Sequence, residues 1–288
     1  MVRYPIADNK LYSGNFEKLE QEIKDCFFHK QGPGDLPTKR TSKKVYGIMV
    51  PSDSYINSGQ CMAWAYKELS EAKFPERYII LGTNHSKIGY SLATLKDEWV
   101  TPLGKVIPDI SFIQQLKAAN FIKENDIPYK QEHSIEIQLP FLQFVSRQYL
   151  PSLKIVPILA YNLDYEDVKK AAKNLIDINK DIAIITSANL THFGPEYDYV
   201  PFRYNIKEEL FKIDNEALEF IKKFDAEGFI NYVNKNKINI YGVSAIAVMI
   251  ETCKLLGATK VKLLSYYTSG DLVNDYKNSV GYAALVFE

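Results

Sequence analysis

Short hydrophobic runs alternate with amphipathic stretches along most of this chain. Runs of roughly four to eight residues rich in Ile, Val and Leu are typical of buried strands. They predict strands over residues 45–50, 77–82, 154–160, 181–187, 261–267 and 281–287, and a hairpin over 91–106. Apolar residues at helical spacing predict helices over residues 15–28, 60–72, 110–119, 132–149, 164–179, 206–223, 225–235 and 241–256.

This order of elements predicts an α/β protein. Strands that alternate with helices favour a mostly parallel central sheet, flanked on both faces by helices. We find no internal repeat and no linker long enough to separate two units. We therefore expect one large domain that spans residues 1–288.

Composition narrows the function classes. The formal net charge is +0, so the chain lacks the basic surface expected of a nucleic-acid-binding or membrane-binding protein. No apolar run reaches the roughly 20 residues that a membrane span needs, and the first residues lack a signal core. Three widely spaced cysteines favour reduced thiols over a disulfide framework. We expect a cytoplasmic protein, and the sequence predicts no oligomeric state.

A dense polar segment, residues 51–59, follows the first core strand. Polar loops after core strands form the sites of open α/β sheets, so Ser52, Asp53 and Ser54 are candidate site residues. The alternative is that these side chains only cap the next helix. Cys61 lies near the start of that helix, where the helix dipole lowers a thiol pKa; a buried, inert thiol is the alternative.

Three of the four histidines follow strands or open helices, namely His85, His133 and His192. Each one alone is most simply a structural residue, but three at converging strand ends predict a shared pocket. Glu132 and Glu136 are one helical turn apart in the predicted helix over 132–149. Such a carboxylate can orient an imidazole; the alternative is a favourable charge at a helix start.

Several short motifs occur in order along nearly the whole chain. They are Arg3-Tyr4-Pro5, Gly82-Thr83-Asn84-His85, Glu132-His133-Ser134-Ile135-Glu136, Thr191-His192-Phe193-Gly194, Tyr266-Tyr267-Thr268-Ser269-Gly270-Asp271 and Val280-Gly281-Tyr282-Ala283. With these motifs the chain resembles the Memo family, whose fold is similar to the LigB-type subunit of class III extradiol dioxygenases. The resemblance implies a LigB-like fold with a dioxygenase-like pocket. In metal-binding members it implies two histidines and a cysteine as ligands.

The chain departs from the family pattern at the pocket itself. The family's first histidine is Ser52 here, its cysteine is Tyr241, and an aspartate of a later motif is Asn189. Of the implied ligands only His85 remains, and a hydroxyl or a phenol is a poor ligand for a soft metal. We therefore expect no metal and no cofactor. Clustered changes fit either a natural paralogue that has lost its metal or a deliberately rebuilt pocket, and we favour rebuilding.

Three functions remain open. The first is hydrolysis of a small activated ester, with Ser52, Ser54 or Cys61 as nucleophile, His85 or His192 as base and Asp53 as orienting group. The second is a module that binds a small molecule or a protein without catalysis. Its expected binding residues are Asn57, Gln60, Met62, His133, Asn189, Tyr241 and Ser244. The third is residual metal-dependent redox chemistry on His85 and His192.

Overall fold

The structure is a computed structural model that describes residues 1–288. Its helices are α1 (Phe16–Phe28), α2 (Tyr55–Glu71), α3 (Ile110–Ala118), α4 (Leu139–Val145), α5 (Tyr165–Ile178), α6 (Ile206–Lys222), α7 (Ala226–Lys235), α8 (Val243–Leu256) and α9 (Ser269–Val273). Its strands are β1 (Val2–Arg3), β2 (Gly47–Val50), β3 (Arg77–Thr83), β4 (Leu92–Thr94), β5 (Glu98–Thr101), β6 (Gly104–Pro108), β7 (Lys123–Glu124), β8 (Lys154–Ala160), β9 (Ile182–Ser187), β10 (His192–Phe193), β11 (Val261–Thr268) and β12 (Ser279–Phe287).

The central sheet is mostly parallel, as predicted. Strands β6, β8, β3, β9 and β2 lie side by side and pair in parallel, and β12 then pairs antiparallel with β2. Strand β11 pairs antiparallel with β12. The predicted hairpin is present but begins later than expected: β5 and β6 form it, whereas β4 pairs with β7 and β8. The expected α/β architecture, with helices on both faces of the sheet, is confirmed.

Alternate side chains of the central strands enter two separate cores. In β9, Ile185 packs with the core beneath α1, α2 and α4, whereas Ile184 packs with the core beneath α5, α7 and α8. A strand that is apolar on both faces is typical of a parallel sheet with helices above and below. This explains why the strands were readable from the sequence as continuous apolar runs. No helix combines the length and the apolar character needed to cross a membrane.

The predicted helix over residues 132–149 is wrong. Residues Glu136–Gln138 form a 3₁₀ turn, α4 spans only Leu139–Val145, and a second 3₁₀ turn follows at Arg147–Ser152. Pro140 lies in the first turn of α4, where its missing N–H is not needed. The Glu132 side chain accepts the backbone N–H of the two residues that follow it, which competes with helix formation.

The predicted helix over residues 60–72 begins earlier than expected. Helix α2 starts at Tyr55, so Asn57 lies in its first turn and the polar loop shrinks to Pro51–Ser54. Ser54 occupies the position before the helix, but its side chain makes no capping hydrogen bond. The short helix α9 was not predicted, although Thr268 and Asp271 form a reciprocal capping box at its start.

Candidate functional site

Parallel neighbouring strands bring the predicted histidines to one edge of the sheet. His85 follows β3, His192 begins β10, and the segment with His133 lies between β7 and α4. The His85 and His133 rings stack with centroids 5.2 Å apart and an interplanar angle of 5°. His192 joins them through Tyr241, whose ring stacks on His192 at 4.0 Å and meets the edge of His85 at 5.7 Å. The structure thus brings three histidines and one tyrosine together.

Glu132 fixes the orientation of the His85 ring. Its carboxylate lies 3.0 Å from His85 Nδ1 and also accepts the backbone N–H of His85 at 2.9 Å. The same carboxylate accepts the backbone N–H groups of His133 and Ser134. With the Nδ1 proton donated to a carboxylate, the Nε2 lone pair is the free basic position of His85. Nε2 has no protein partner, and the side chain is 31% exposed.

These hydrogen bonds keep Glu132 ionised inside the protein. Burial acts to raise the pKa of this carboxyl, but the contacts from the His85 ring and from backbone N–H groups outweigh burial and lower its pKa below the ordinary value. An ionised Glu132 is a strong acceptor for the His85 ring N–H. The pair is therefore arranged so that His85 can accept a proton at Nε2.

The other two imidazoles are held neutral. Burial is the main cause that lowers the pKa of His192 to about 4, and His85 nearby adds to it. Burial likewise lowers the pKa of His133, against the opposing effect of Glu132. His192 Nδ1 lies 3.1 Å from the carbonyl oxygen of Leu190. Near neutral pH both rings therefore offer lone pairs and ring N–H groups without positive charge.

Ser52 and Asp53 also reach this cluster, after the end of β2. The backbone N–H of Ser52 donates to Asn189 Oδ1 at 2.8 Å, and the hydroxyl of Tyr282 donates to Asp53 Oδ2. The Ser52 hydroxyl makes no hydrogen bond to another protein group, and no imidazole is hydrogen-bonded to a serine hydroxyl. The predicted nucleophilic arrangement required Asp53 to orient a histidine. Asp53 instead accepts a hydrogen bond from a tyrosine.

A fully buried carboxylate supports the strand that carries His192. Asp214, on α6, accepts the backbone N–H and the hydroxyl of Thr191 at 3.1 and 2.6 Å, and the hydroxyl of Tyr266 at 2.9 Å. No cation pairs with it, and burial raises its pKa to about 6. Nothing in the sequence distinguished Asp214 from the other acidic residues of an amphipathic helix.

A cavity of about 540 Å³ adjoins the cluster on the side of His85. Its walls combine residues from the ends of β3 and β8 with residues of α7 and the start of α8. The lining includes Lys87 but no aspartate or glutamate, and it includes the predicted residues His85, Tyr241 and Ser244. The volume lies in the range of small-molecule sites, which is roughly 300–1,000 Å³.

Several predicted site residues lie away from the histidines. Cys61 and Met62 are fully buried in the core, and burial strongly raises the pKa of the Cys61 thiol. An inert core thiol does not fit the role of nucleophile. The Tyr267 hydroxyl donates to the side chain of Gln60 and to the backbone carbonyl of Asn57, about one turn earlier in α2. Ser54 faces a groove along the N-terminal segment.

Glu136 has a different partner from the one expected. Because residues 132–135 are not helical, Glu136 does not share a face with Glu132. Its carboxylate binds the backbone N–H groups of Ile6 and Ala7, the Tyr12 hydroxyl and the Arg3 guanidinium. The role of orienting an imidazole belongs to Glu132 alone, and Glu136 anchors the N-terminal segment.

We tested whether the donor groups fit the metal that the family resemblance implies. One ligand atom each from His85, Glu132 and His133 lies within 4.8 Å of the others, a spacing that a metal ion could use. However, the Glu132 carboxylate accepts three backbone N–H groups and a ring N–H, and a carboxylate has about four acceptor sites. As arranged, this group does not fit a metal held by Glu132.

Comparison with known proteins places the chain. The family model described as Memo-like protein matches residues 3–286. A MEMO1 family protein of Methanopyrus kandleri is 35% identical over 294 residues, which cover 100% of this chain and 99% of the relative. A MEMO1 family protein of Methanocaldococcus jannaschii is 34% identical over 295 residues, with the same two coverages.

An uncharacterized protein from Escherichia coli of known structure covers 85% of this chain and 100% of its own, at a TM-score of 0.47 and 9% identity, too low to carry an argument. None of these comparisons supports a lost metal site, a deliberately rebuilt pocket or a hydrolase, and all three stay predictions from the sequence. The family model and the relatives, by contrast, extend over essentially the whole length. This chain belongs to the Memo family.

Proposed function

We propose that this protein binds a small molecule in the cavity beside His85, and that the His85–Glu132 pair acts on it as a general base without a bound metal. One observation carries the proposal: the Glu132 carboxylate accepts a hydrogen bond from His85 Nδ1–H, while Nε2 has no protein partner and the ring lines the cavity. A base of this kind contributes roughly 10²–10⁴-fold to a rate when it meets its substrate.

The absence of a metal from the proposal follows from the donor groups. Glu132 is saturated by hydrogen bonds, and the positions that the family pattern gives to a histidine and a cysteine hold Ser52 and Tyr241. Neither a serine hydroxyl nor a phenol competes well for a soft divalent ion. The chemistry left to this site is proton transfer and hydrogen bonding by imidazoles.

A p-nitrophenyl acetate assay tests the proposed base. We expect His85→Gln to lower kcat/KM by about a hundredfold or more if His85 promotes ester cleavage. His29→Gln is the matched control, because His29 lies on the N-terminal side of the fold and bonds only to Gln31. All assays are run in the presence of a chelator. Equal rates in both variants and in the unaltered protein would refute the proposed role of His85.

Nucleophilic hydrolysis at Ser52 is the second candidate. The hydroxyl of Ser52 has no protein partner, and the Ser52 backbone carbonyl lies against the His133 ring. In that case p-nitrophenyl acetate leaves an acetyl group on Ser52, detectable by peptide mass spectrometry, and Ser52→Ala removes both the adduct and the initial burst. Under the general-base proposal, Ser52→Ala leaves the rate unchanged and no adduct forms.

A further inference from the structure

We propose that Tyr241 is a partition that limits the size of the ligand: its ring closes the inner end of the cavity beside His85 and keeps His192 out of reach. This inference rests on the proposed function only in taking that cavity as the ligand site. It assigns to Tyr241 a role in specificity, which the aromatic ring can perform by its shape alone.

The Tyr241 ring covers His192. Tyr241 stacks on His192 with centroids 4.0 Å apart and an angle of 26°, so it covers one face of that imidazole. The edge of His85 meets the same tyrosine at 75°. Tyr197 packs against the edge of His192 at 5.1 Å, so aromatic rings flank His192 on two sides. The His192 residue is accordingly only 6% exposed.

The cavity is lined by only part of the polar cluster. His85 and Tyr241 line the cavity, but Ser52, Asp53, His133 and His192 do not. A molecule in this space can therefore contact both His85 and Tyr241, but none of those four residues. Tyr241 lies between His85, which lines the cavity, and His192, which does not.

The backbone next to Tyr241 is closely packed. Gly242 has a φ of +87°, and a Cβ there would lie 2.5 Å from Thr83 Oγ1 and 2.9 Å from Ala188 Cβ. A side chain at position 242 is therefore excluded, and the chain packs closely against the ends of β3 and β9. This close packing fixes the backbone next to Tyr241. The position of the ring is therefore restricted by the backbone as well as by the contact with His192.

Carbethoxylation by diethyl pyrocarbonate tests the partition directly, since the reagent modifies accessible neutral imidazoles. We expect His85 to react readily and His192 slowly in the unaltered protein, with peptide mass spectrometry following each site. Tyr241→Ala should accelerate modification of His192 by about tenfold or more as its protection is lost. Tyr241→Phe, which keeps the ring, should leave His192 protected.

Ligand size gives a second readout. With p-nitrophenyl esters of increasing acyl length, Tyr241→Ala should raise kcat/KM for the hexanoate relative to the acetate, whereas Tyr241→Phe should not. Thermal melts of each variant confirm that it is folded, and Tyr241→Leu replaces the alanine variant if that protein melts early. Unchanged protection of His192 in a folded variant without the ring would overturn the partition. Loss of the His85 effect alone would refute only the proposed function.

Discussion

A single hydrogen-bond acceptor decides what the His85 ring can do. Glu132 binds both the ring N–H and the backbone N–H of His85, which fixes the ring orientation and the tautomer together. Without it, either ring nitrogen could carry the proton. The functional unit at this position is therefore the pair, and substitution of the carboxylate should affect the chemistry of the imidazole.

We predict that Glu132→Gln lowers kcat/KM for p-nitrophenyl acetate by roughly 10–100-fold, the usual effect of removing a carboxylate that orients a histidine. The neutral amide is a weaker acceptor for the ring N–H and turns one oxygen into a donor. Comparison with His85→Gln in the same assay is the check. Additive losses in the double variant would contradict the pair, because residues that act as a unit lose activity only once.

Two buried titratable groups should oppose each other in the pH dependence of stability. His192 has a pKa of about 4 in the folded protein, below its unfolded value, so stability is lost as the pH falls from about 6.5 to 4. Asp214 has a pKa of about 6, above its unfolded value, so stability is gained as the pH falls from about 6 to 4. The groups near Asp214 are the tyrosines Tyr199, Tyr232 and Tyr266, and none is a cation.

Substitution of either group should expose the other one. When the pH falls from 7.5 to 4.5, the free energy of unfolding of Asp214→Asn should decrease by about 2 kcal/mol relative to that of the unaltered protein. For His192→Gln it should increase by about 2 kcal/mol relative to the unaltered protein. Urea unfolding at the two pH values measures both differences. Parallel pH profiles for the three proteins would show that neither side chain changes its protonation between the folded and unfolded states.

Residue types explain which site residues the sequence could indicate. The three histidines were recognisable because an imidazole after a core strand is a strong chemical signal. Cys61 carried a similar signal, yet it lies in the core, because the face that a helical residue presents depends on neighbours distant in sequence. Asp214 gave no signal, since an acidic residue on an amphipathic helix is common without a function. Tyr282 lies in one of the family motifs, but nothing in the sequence indicated that it bonds to Asp53.

At the scale of elements, the segment between β7 and α4 determines the site. Its only regular structure is two short 3₁₀ turns, Ile127–Lys130 and Glu136–Gln138. Hydrogen bonds hold it in place: Ser134 donates to the carbonyl of Thr83 on β3, and Ser187 on β9 donates to the carbonyl of Ser134. The sequence predicted a helix here because apolar residues recur at suitable intervals. Those residues pack against the strands without forming the helix, an outcome set by tertiary contacts.

Gly82 allows this segment to approach β3. A Cβ at this position would lie 2.6 Å from Ile135 Cγ1 and 2.7 Å from Ser134 Oγ. We predict that Gly82→Ala destabilises the protein by about 1–3 kcal/mol, as overpacking does in cores, and lowers esterase activity by moving Glu132. Chemical denaturation measures the first effect.

Gly14→Ala is the matched control for this change. A Cβ at Gly14 would also meet a neighbour at 2.3 Å, but that neighbour is the exposed side chain of Asn9, which can rotate away. We therefore expect Gly14→Ala to change stability by less than Gly82→Ala. An equal loss in both variants would indicate a general intolerance of alanine at glycine positions, and not a close approach of this segment to β3.

The whole molecule combines a well-indicated fold with a site that the sequence indicates only in part. Apolar runs and helical periodicity predicted the central strands and most helices, because both faces of the sheet are buried. Convergence of the histidines followed from parallel strands ending at one edge. The partners of each histidine did not, since the hydrogen bonds of Glu132 and the ring contacts of Tyr241 depend on side-chain directions that periodicity leaves open.

The N-terminal segment connects the fold to the site. Arg3 donates to the backbone carbonyls of Tyr129 and Glu132, and Glu136 accepts the backbone N–H groups of Ile6 and Ala7. The residues on either side of the His133 segment are thus tied to the first strand of the chain. The geometry of the His85–Glu132 pair therefore depends on contacts made over more than a hundred residues of sequence.

A metal-binding measurement is the sharpest test of whether this pocket works without a metal. The unaltered protein and a Ser52→His/Tyr241→Cys variant, which restores the ligand types of the family pattern, would be incubated with Zn²⁺ or Fe²⁺, desalted and analysed by elemental mass spectrometry. Our account predicts well under one ion per chain in the unaltered protein and about one in the variant, in line with the preference of soft metals for imidazole and thiolate. A full equivalent retained by the unaltered protein and released by His85→Gln would contradict it.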